Sequence, residues 1–371
     1  VKHQPVAQVD TIDSQPGISR QRRGRGWRFV AADGSTVSDV DDRLRVLALG
    51  IPPAWRKVWI NPDPDAPVQA TGIDAAGRKQ YRYGGAWREQ RDQEKFEDLP
   101  AFADHLPRLR AQVRKALASG DEWERALAAA VRLLDGFAIR VGSDDSVEHG
   151  SYGATTLLNR HARIKGDQIN LCFYGKGGIR ANLSSRDAAL AAALAELKCA
   201  RGNLFTLRSG LRIRTADVNQ WIGELTEGHG TAKTFRTWRA CAVAAGLLSH
   251  GRCSVKTLLA EVARQLGNTP AVCRKSYVAP IFIDIAKAGE TIPVPKTPAA
   301  LRANERASLA VLKVMQSYMA HSIFRHPGPV PGSTGEQAMK RGLAGTDDEI
   351  SDRLNPPRGG PRNKSGVTRR V

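Results

Sequence analysis

Near residue 99 the hydrophobic pattern changes period, and this change constrains the architecture more than any other feature of the chain. Downstream, Leu106, Leu109, Val113 and Leu117 recur at helical spacing, and Trp123, Leu127, Val131 and Leu134 do so again. An apolar residue every three or four places lines one face of a helix, so two amphipathic helices are expected here. Upstream the pattern is different. Runs at 27–31, 57–60, 68–72 and 80–83 are rich in aromatic and β-branched residues and are broken by Gly, Pro or Asp, which predicts strands. Residues 41–49 read as a short helix stopped at Gly50.

One island interrupts the helical half. Residues 163–182 alternate around Lys165-Gly166-Asp167 and again at Gly175-Lys176-Gly177-Gly178, which predicts a small antiparallel sheet. Helices are then expected at 184–199, 215–225, 231–245 and 254–266. The last opens on a Ser cap and stops at Gly267, after which Thr269-Pro270 supplies a new N-cap with proline at the first helical position. A further helix near 297–319, with Leu309, Leu312 and Met319 on one side, suits either the core or a partner. The predicted class is α+β, a small N-terminal mixed-sheet domain (26–98) followed by a mainly α-helical domain with a small antiparallel sheet (99–325). Segments 1–25, polar and basic, and 326–371, rich in Pro, Gly and Arg, cannot bury enough apolar surface to offset chain entropy. Both are expected as disordered tails.

The chain carries 56 Lys and Arg against 37 Asp and Glu, a net charge of +19 over 371 residues. A field of that size points to a polyanionic partner, although basic tails on a highly soluble protein share the signature. Five cysteines with no CxxC pair argue against a disulfide framework and a zinc site, and predict buried, reduced thiols in a cytoplasmic protein. There is no His-x3-His pair, and Asp144-Asp145 stands alone, so no metal is expected. The Gly-x4-Gly-Lys-Ser/Thr pattern of a P-loop is missing, so no nucleotide cofactor is expected either. No apolar stretch approaches the roughly 20 residues of a membrane span, and no membrane association is expected.

Five short blocks carry the chemistry. Leu266-Gly-Asn-Thr-Pro-Ala-Val-Cys-Arg-Lys-Ser-Tyr277 is the longest. Before it come Ile139-Arg-Val-Gly142 with Ser151-Tyr-Gly-Ala-Thr-Thr-Leu157, then Phe173-Tyr-Gly-Lys-Gly177, then Thr231-Ala-Lys-Thr-Phe-Arg-Thr-Trp238. The fifth is Gly77-Arg-Lys-Gln-Tyr-Arg-Tyr-Gly84. In this order they resemble the type IB DNA topoisomerases, and the Gly77–Gly84 block resembles the DNA-facing segment of the bacterial, poxvirus-like branch. The resemblance runs from about residue 26 to 285.

The resemblance implies a larger catalytic domain, double-stranded DNA as partner, a monomeric clamp, and nick-and-seal chemistry without metal or ATP. Tyr277 would be the nucleophile that holds the 3′-phosphate. A phenolate is a moderate nucleophile and a good leaving group, so its ester is reversible. Arg140 and Arg236 would stabilise the two non-bridging oxygens, a task suited to planar, permanently charged guanidinium groups. Lys176 would protonate the departing 5′-oxygen as general acid. Asn268 stands where poxvirus-like members carry His and would donate a hydrogen bond without titrating. Arg78, Lys79, Gln80, Tyr81 and Tyr83 would contact DNA in the major groove.

Plainer readings exist for each residue alone: a core tyrosine, surface arginines, a solvated Gly-Lys-Gly turn, a helix-stop asparagine, a solvated strand face. Thr234 stands where many relatives have Asp, His149 where Asn is often seen, and Ala279 where bacterial members often have His. A tyrosine recombinase shares the Arg–Lys–Arg–Tyr logic, but usually has His three places before the second arginine, where this chain has Lys233. A non-catalytic DNA-binding protein on the same fold is the remaining alternative.

Overall fold

The computed structural model describes residues 12–198, 202–296 and 298–325. Ahead of the period change, β1 (Ile18–Arg23), β2 (Gly26–Val30), β3 (Arg56–Ile60), β4 (Val68–Ile73) and β5 (Lys79–Tyr83) form an antiparallel sheet in the order β2-β1-β3-β4-β5. Helix α1 (Val40–Ala48) starts at Asp39, whose carboxylate accepts the Asp42 N–H at 2.8 Å. Ile18, Val46, Val58, Ile60 and Ala70 make a core of this unit's own.

The expectation of a disordered tail through residue 25 is corrected from Ile12 onward. Ile18 is buried, and Arg20 donates to the carbonyls of Ile51, Pro52 and Trp55 while its guanidinium lies 4.1 Å from the Trp27 ring centre. Arg20 thus ties an interior strand to the carbonyls of residues 51–55, a use that composition does not reveal. The expected C-terminal tail, 326–371, lies outside the described residues.

The helical half contains α2 (Gly85–Glu97), α3 (Leu99–Leu117), α4 (Glu122–Phe137), α5 (Asp144–Glu148), α6 (Ala188–Leu197), α7 (Thr215–Leu225), α8 (Ala232–His250), α9 (Val255–Leu266), α10 (Pro270–Ser276), α11 (Pro280–Ala288) and α12 (Ala303–Arg325). Helix α2 was not expected, because its charged sequence has no continuous apolar stripe; its Phe96 is nevertheless buried in the helical core. The island is a three-stranded antiparallel sheet of β6 (Ala162–Lys165), β7 (Gln168–Tyr174) and β8 (Arg180–Arg186). The helix expected from 184 begins only at Ala188. Ser184, Ser185 and Arg186 pair with Asn170, Ile169 and Gln168, and Asp187 then caps α6 by accepting the Leu190 N–H at 3.1 Å.

Helix α8 is buried on nearly every side, with Phe235, Trp238, Ala240, Cys241, Ala244 and Ala245 all shielded. A helix apolar all round belongs at the centre of a domain, and α4, α9, α11 and α12 pack on this one. Helix α12 lies on α8 and α3 with Leu309 and Leu312 buried, so of its two expected uses this part serves the core. Met319 falls outside the described side chains. Cys241 and Cys273 are buried as expected, whereas Cys172 is exposed, because it points outward between Leu171 and Phe173 on an alternating strand. Cys199 lies outside the described residues. Among the described residues no helix is long and apolar enough to cross a membrane.

Candidate active site

Tyr277 sits one residue past α10 and closes it, its N–H reaching the Cys273 carbonyl at 3.0 Å. The ring is 8% exposed. Its nearest charged neighbour is Arg236 on α8, 3% exposed, which donates from Nε to the phenol oxygen at 3.5 Å. The same guanidinium donates from Nη2 to the Leu266 carbonyl at 3.0 Å and from Nη1 to the Ala138 carbonyl. Leu266 is the last residue of α9, and Ala138 is the left-handed cap of α4 at φ 51°. Helix C-termini present carbonyls without intrahelical partners and carry partial negative charge, so two of them together hold a buried cation. An arginine has five N–H groups, and these three bonds leave two uncommitted.

Burial opposes ionisation of Tyr277, but the charge and hydrogen bond of Arg236, with Arg140 and Lys233 farther out, hold its pKa below the usual phenol value. Burial likewise lowers the Arg236 pKa; Tyr277 opposes this and Arg140 adds to it. A guanidinium stays charged even so.

Arg140 lies two residues beyond Ala138, and its Nη2 donates to Asn268 Oδ1 at 2.8 Å. Asn268 follows Gly267, the left-handed stop of α9. Its Nδ2 is buried with no hydrogen-bond partner among the described residues. Asn268 also acts on the Cys273 thiol, which burial pushes up, but a thiol sulfur is a weak acceptor and leaves the amide unsatisfied.

The block 151–157 supplies none of the catalytic candidates, yet it joins two of them. On one side the Ala154 N–H reaches the Arg140 carbonyl and the Thr155 N–H the Val141 carbonyl, both at 2.8 Å. On the other the Tyr152 N–H reaches the Tyr174 carbonyl at 2.8 Å, and Ser151 Oγ reaches the Gly175 carbonyl at 3.2 Å. Two glycines allow the approach. A Cβ on Gly153 would stand 2.4 Å from both the Arg140 carbonyl oxygen and the Gly142 nitrogen, and Gly142 itself has φ +95°. Lys176 opens the turn of the β7–β8 hairpin and is exposed, with Gly177 and Gly178 at φ 78° and 70°.

Arg140, Lys176 and Arg236 line one cleft of about 180 Å³. Arg180 and Arg264 line it too, and among the described residues no carboxylate does. Sequence reading missed these two arginines, which stand outside the motif blocks. A cleft with cations and no anions suits the oxygens of a phosphodiester. Among the described residues no group of three or more His, Cys, Asp or Glu side chains is placed to hold a metal ion.

The residues expected to contact DNA from the N-terminal unit do not line this cleft. They lie on or beside β5, an edge strand. Arg78 and Gln80 both donate to Asp74 Oδ2, at 3.0 and 2.9 Å, and Lys79 pairs with Asp13 at 2.9 Å. Tyr81, Tyr83 and Trp87 form a stacked row, with centroids 6.1 and 4.6 Å apart in turn. Thr234, a departure from the family pattern, accepts the Thr231 N–H at 3.0 Å, so the start of α8 remains capped.

Two family models match the chain, "Eukaryotic DNA topoisomerase I, catalytic core" over residues 84–279 and "Bacterial DNA topoisomerase IB, N-terminal domain" over residues 26–74. The chain is 32% identical over 285 residues to DNA topoisomerase 1B of Acanthamoeba polyphaga mimivirus, covering 71% of this chain and 85% of that protein. It is 27% identical over 185 residues to DNA topoisomerase 1 alpha of Arabidopsis thaliana, and 27% over 202 residues to DNA topoisomerase 1 of Mycosarcoma maydis. Those two alignments cover 48% of this chain and 20% of each longer protein. The chain belongs to the type IB DNA topoisomerases, enzymes of the isomerase class.

Proposed function

We propose that this cleft relaxes supercoiled duplex DNA by cutting one strand through Tyr277 and resealing it, with neither metal nor nucleotide. The observation that carries this reading is the buried Arg236–Tyr277 pair beside a cleft lined by Arg140 and Lys176 and by no carboxylate. The phenol, its pKa already lowered, gives its proton to water and attacks phosphorus. The bond to the 5′-oxygen breaks, Lys176 protonates that oxygen, and Tyr277 keeps the 3′-phosphate. Arg140 and the two uncommitted N–H groups of Arg236 meet the non-bridging oxygens, and the unpartnered amide of Asn268 donates to one of them. The free 5′-end turns about the intact strand, and its hydroxyl reverses the first step.

In this reading the chain acts as a monomeric clamp. The β5 segment, with Arg78, Lys79, Gln80, Tyr81 and Tyr83, faces the major groove while the helical half holds the cut site. The net charge of +19 supports two basic walls around one duplex.

The test is relaxation of supercoiled plasmid in EDTA without ATP, beside Tyr277→Phe, with a denaturing quench. A 3′-linked adduct that the variant lacks is expected; an adduct that persists in Tyr277→Phe refutes the assignment. For Lys176, a substrate with sulfur in place of the bridging 5′-oxygen leaves without protonation. The defect of Lys176→Ala, roughly 100- to 10,000-fold on ordinary DNA, is expected to vanish on it. A defect of equal size on both substrates removes Lys176 from the role of acid.

A further inference from the structure

Arg236 is not the only arginine on α8 that grips the end of α4. One helical turn later Arg239 donates from Nη2 to the carbonyls of Asp135 and Gly136, at 2.8 and 3.0 Å. Residues three apart share a helix face. The two side chains therefore hold the carbonyls of Asp135, Gly136 and Ala138, at the C-terminal end of α4. Arg140 begins two residues later.

The Asp135 side chain enters a second layer. It is 7% exposed and takes both arms of Arg110 on α3, at 2.8 and 2.9 Å. Arg110 also binds both oxygens of Glu305 on α12, at 2.7 and 3.0 Å. Glu305 is 1% exposed, accepts from Arg302 at 2.5 Å and from the Trp238 indole at 3.4 Å, and has its pKa held low by Arg110 and Arg302 despite burial. Paired and fully bonded charges of this kind are rigid, because removing either partner strands a buried ion. Neither Arg239 nor this carboxylate pair lines the cleft.

We propose that Arg239 is a positioning residue for strand cleavage: it fixes the last turn of α4, and with it the place where Arg140 meets the phosphate, while Asp135, Arg110 and Glu305 brace that turn from α3 and α12. This rests on the reading of Arg140 as a phosphate ligand. A fixed turn matters because displacing a reacting group by about 1 Å can cost on the order of 100-fold in rate.

The experiment is single-turnover cleavage of a duplex oligonucleotide by the full chain, with DNA affinity measured separately in a Tyr277→Phe background. Arg239→Met is expected to slow cleavage by about 10- to 100-fold with affinity unchanged. The same substitution is then placed on Arg140→Ala. If Arg239 acts through Arg140, it costs little there, less than about threefold, because the group it positions is gone. An equal loss in both backgrounds, or a wild-type rate in Arg239→Met alone, overturns the proposal and leaves the site reading intact. A wild-type rate in Arg140→Ala overturns the site reading first. Should Arg239→Met not fold, Arg239→Lys is read in the same two backgrounds, where a smaller loss with the same dependence on Arg140 is expected. Glu305→Gln is expected to slow cleavage in the same direction and to lose that effect on Arg140→Ala.

Discussion

Arg236 donates to the Tyr277 hydroxyl at 3.5 Å while its guanidinium carbon stands 5.1 Å from the centre of the same ring. One cation thus touches the phenol at both its oxygen and its π-face, and the Tyr277 pKa lies below the ordinary 10.0. Phenolate is the reactive form, so the rising limb of the cleavage profile should report the ionisation of Tyr277. The midpoint should fall below 10.0, and Arg236→Gln should move it upward as the phenol loses its cation. The check is the single-turnover rate against pH for both proteins. A midpoint that does not move would detach Arg236 from activation of the nucleophile.

Arg236 also ends two helices, so its loss should be felt in stability as well as in rate. Arg236→Ala leaves the carbonyls of Ala138 and Leu266 without their partner. A buried unsatisfied polar group costs about 1–3 kcal/mol, so a loss of at least about 2 kcal/mol is expected. Cleavage should fall roughly 100- to 1,000-fold. Tyr277→Phe loses only one long hydrogen bond and should stay within about 1 kcal/mol of wild type. Denaturant melts of the three proteins decide this.

Asn268 offers an amide and no titratable ring. Asn268→Ala should slow cleavage by about 100-fold, the lower end for a lost oxyanion donor. Asn268→His should keep more of the rate and add an inflection near the usual imidazole value, roughly 6.5, to a pH profile that lacks one there. If that inflection is already present in the wild type, another group is titrating and the assignment to Asn268 is wrong.

Gly153→Ala puts a methyl group 2.4 Å from two backbone atoms of the segment that carries Arg140. Backbone cannot swing aside as a side chain can, so either the 151–157 block or that segment must move. A loss of about 1–3 kcal/mol is expected, with cleavage slowed more than DNA binding. A variant as stable and as fast as wild type would show that the close approach is not required.

Glu305 gives a pH-dependent term. Its folded pKa is depressed below the ordinary 4.5, so its stabilising effect is fully present above 4.5 and fades as pH falls toward the folded value. Glu305→Gln should cost about 3 kcal/mol near neutrality, and the gap from wild type should narrow below pH 4.5. Melting both proteins across that range checks the sign; a gap that widens in acid contradicts it.

The strands at 27–31, 57–60, 68–72 and 80–83 were legible because each alternates or clusters apolar residues between turn formers. The paired helices after residue 99 were legible from their period. Strand β1 was not, because Arg20 joins the sheet through carbonyl contacts that no hydrophobic pattern signals. The motif blocks led to Arg140, Lys176, Arg236, Asn268 and Tyr277, and the first three do meet in one cleft. Motif reading did not lead to Arg180, Arg264 or Arg239, whose surroundings are created by tertiary packing.

The grip of Arg236 on the ends of α4 and α9 bears on how this chain can change over generations. On the proposed mechanism, losing this side chain slows the reaction and loosens the fold in a single step, so inactive but intact descendants are not reached by that route. Descendants that give up cutting while keeping their shape can begin at Tyr277, whose hydroxyl makes one long bond, to Arg236, among the described residues.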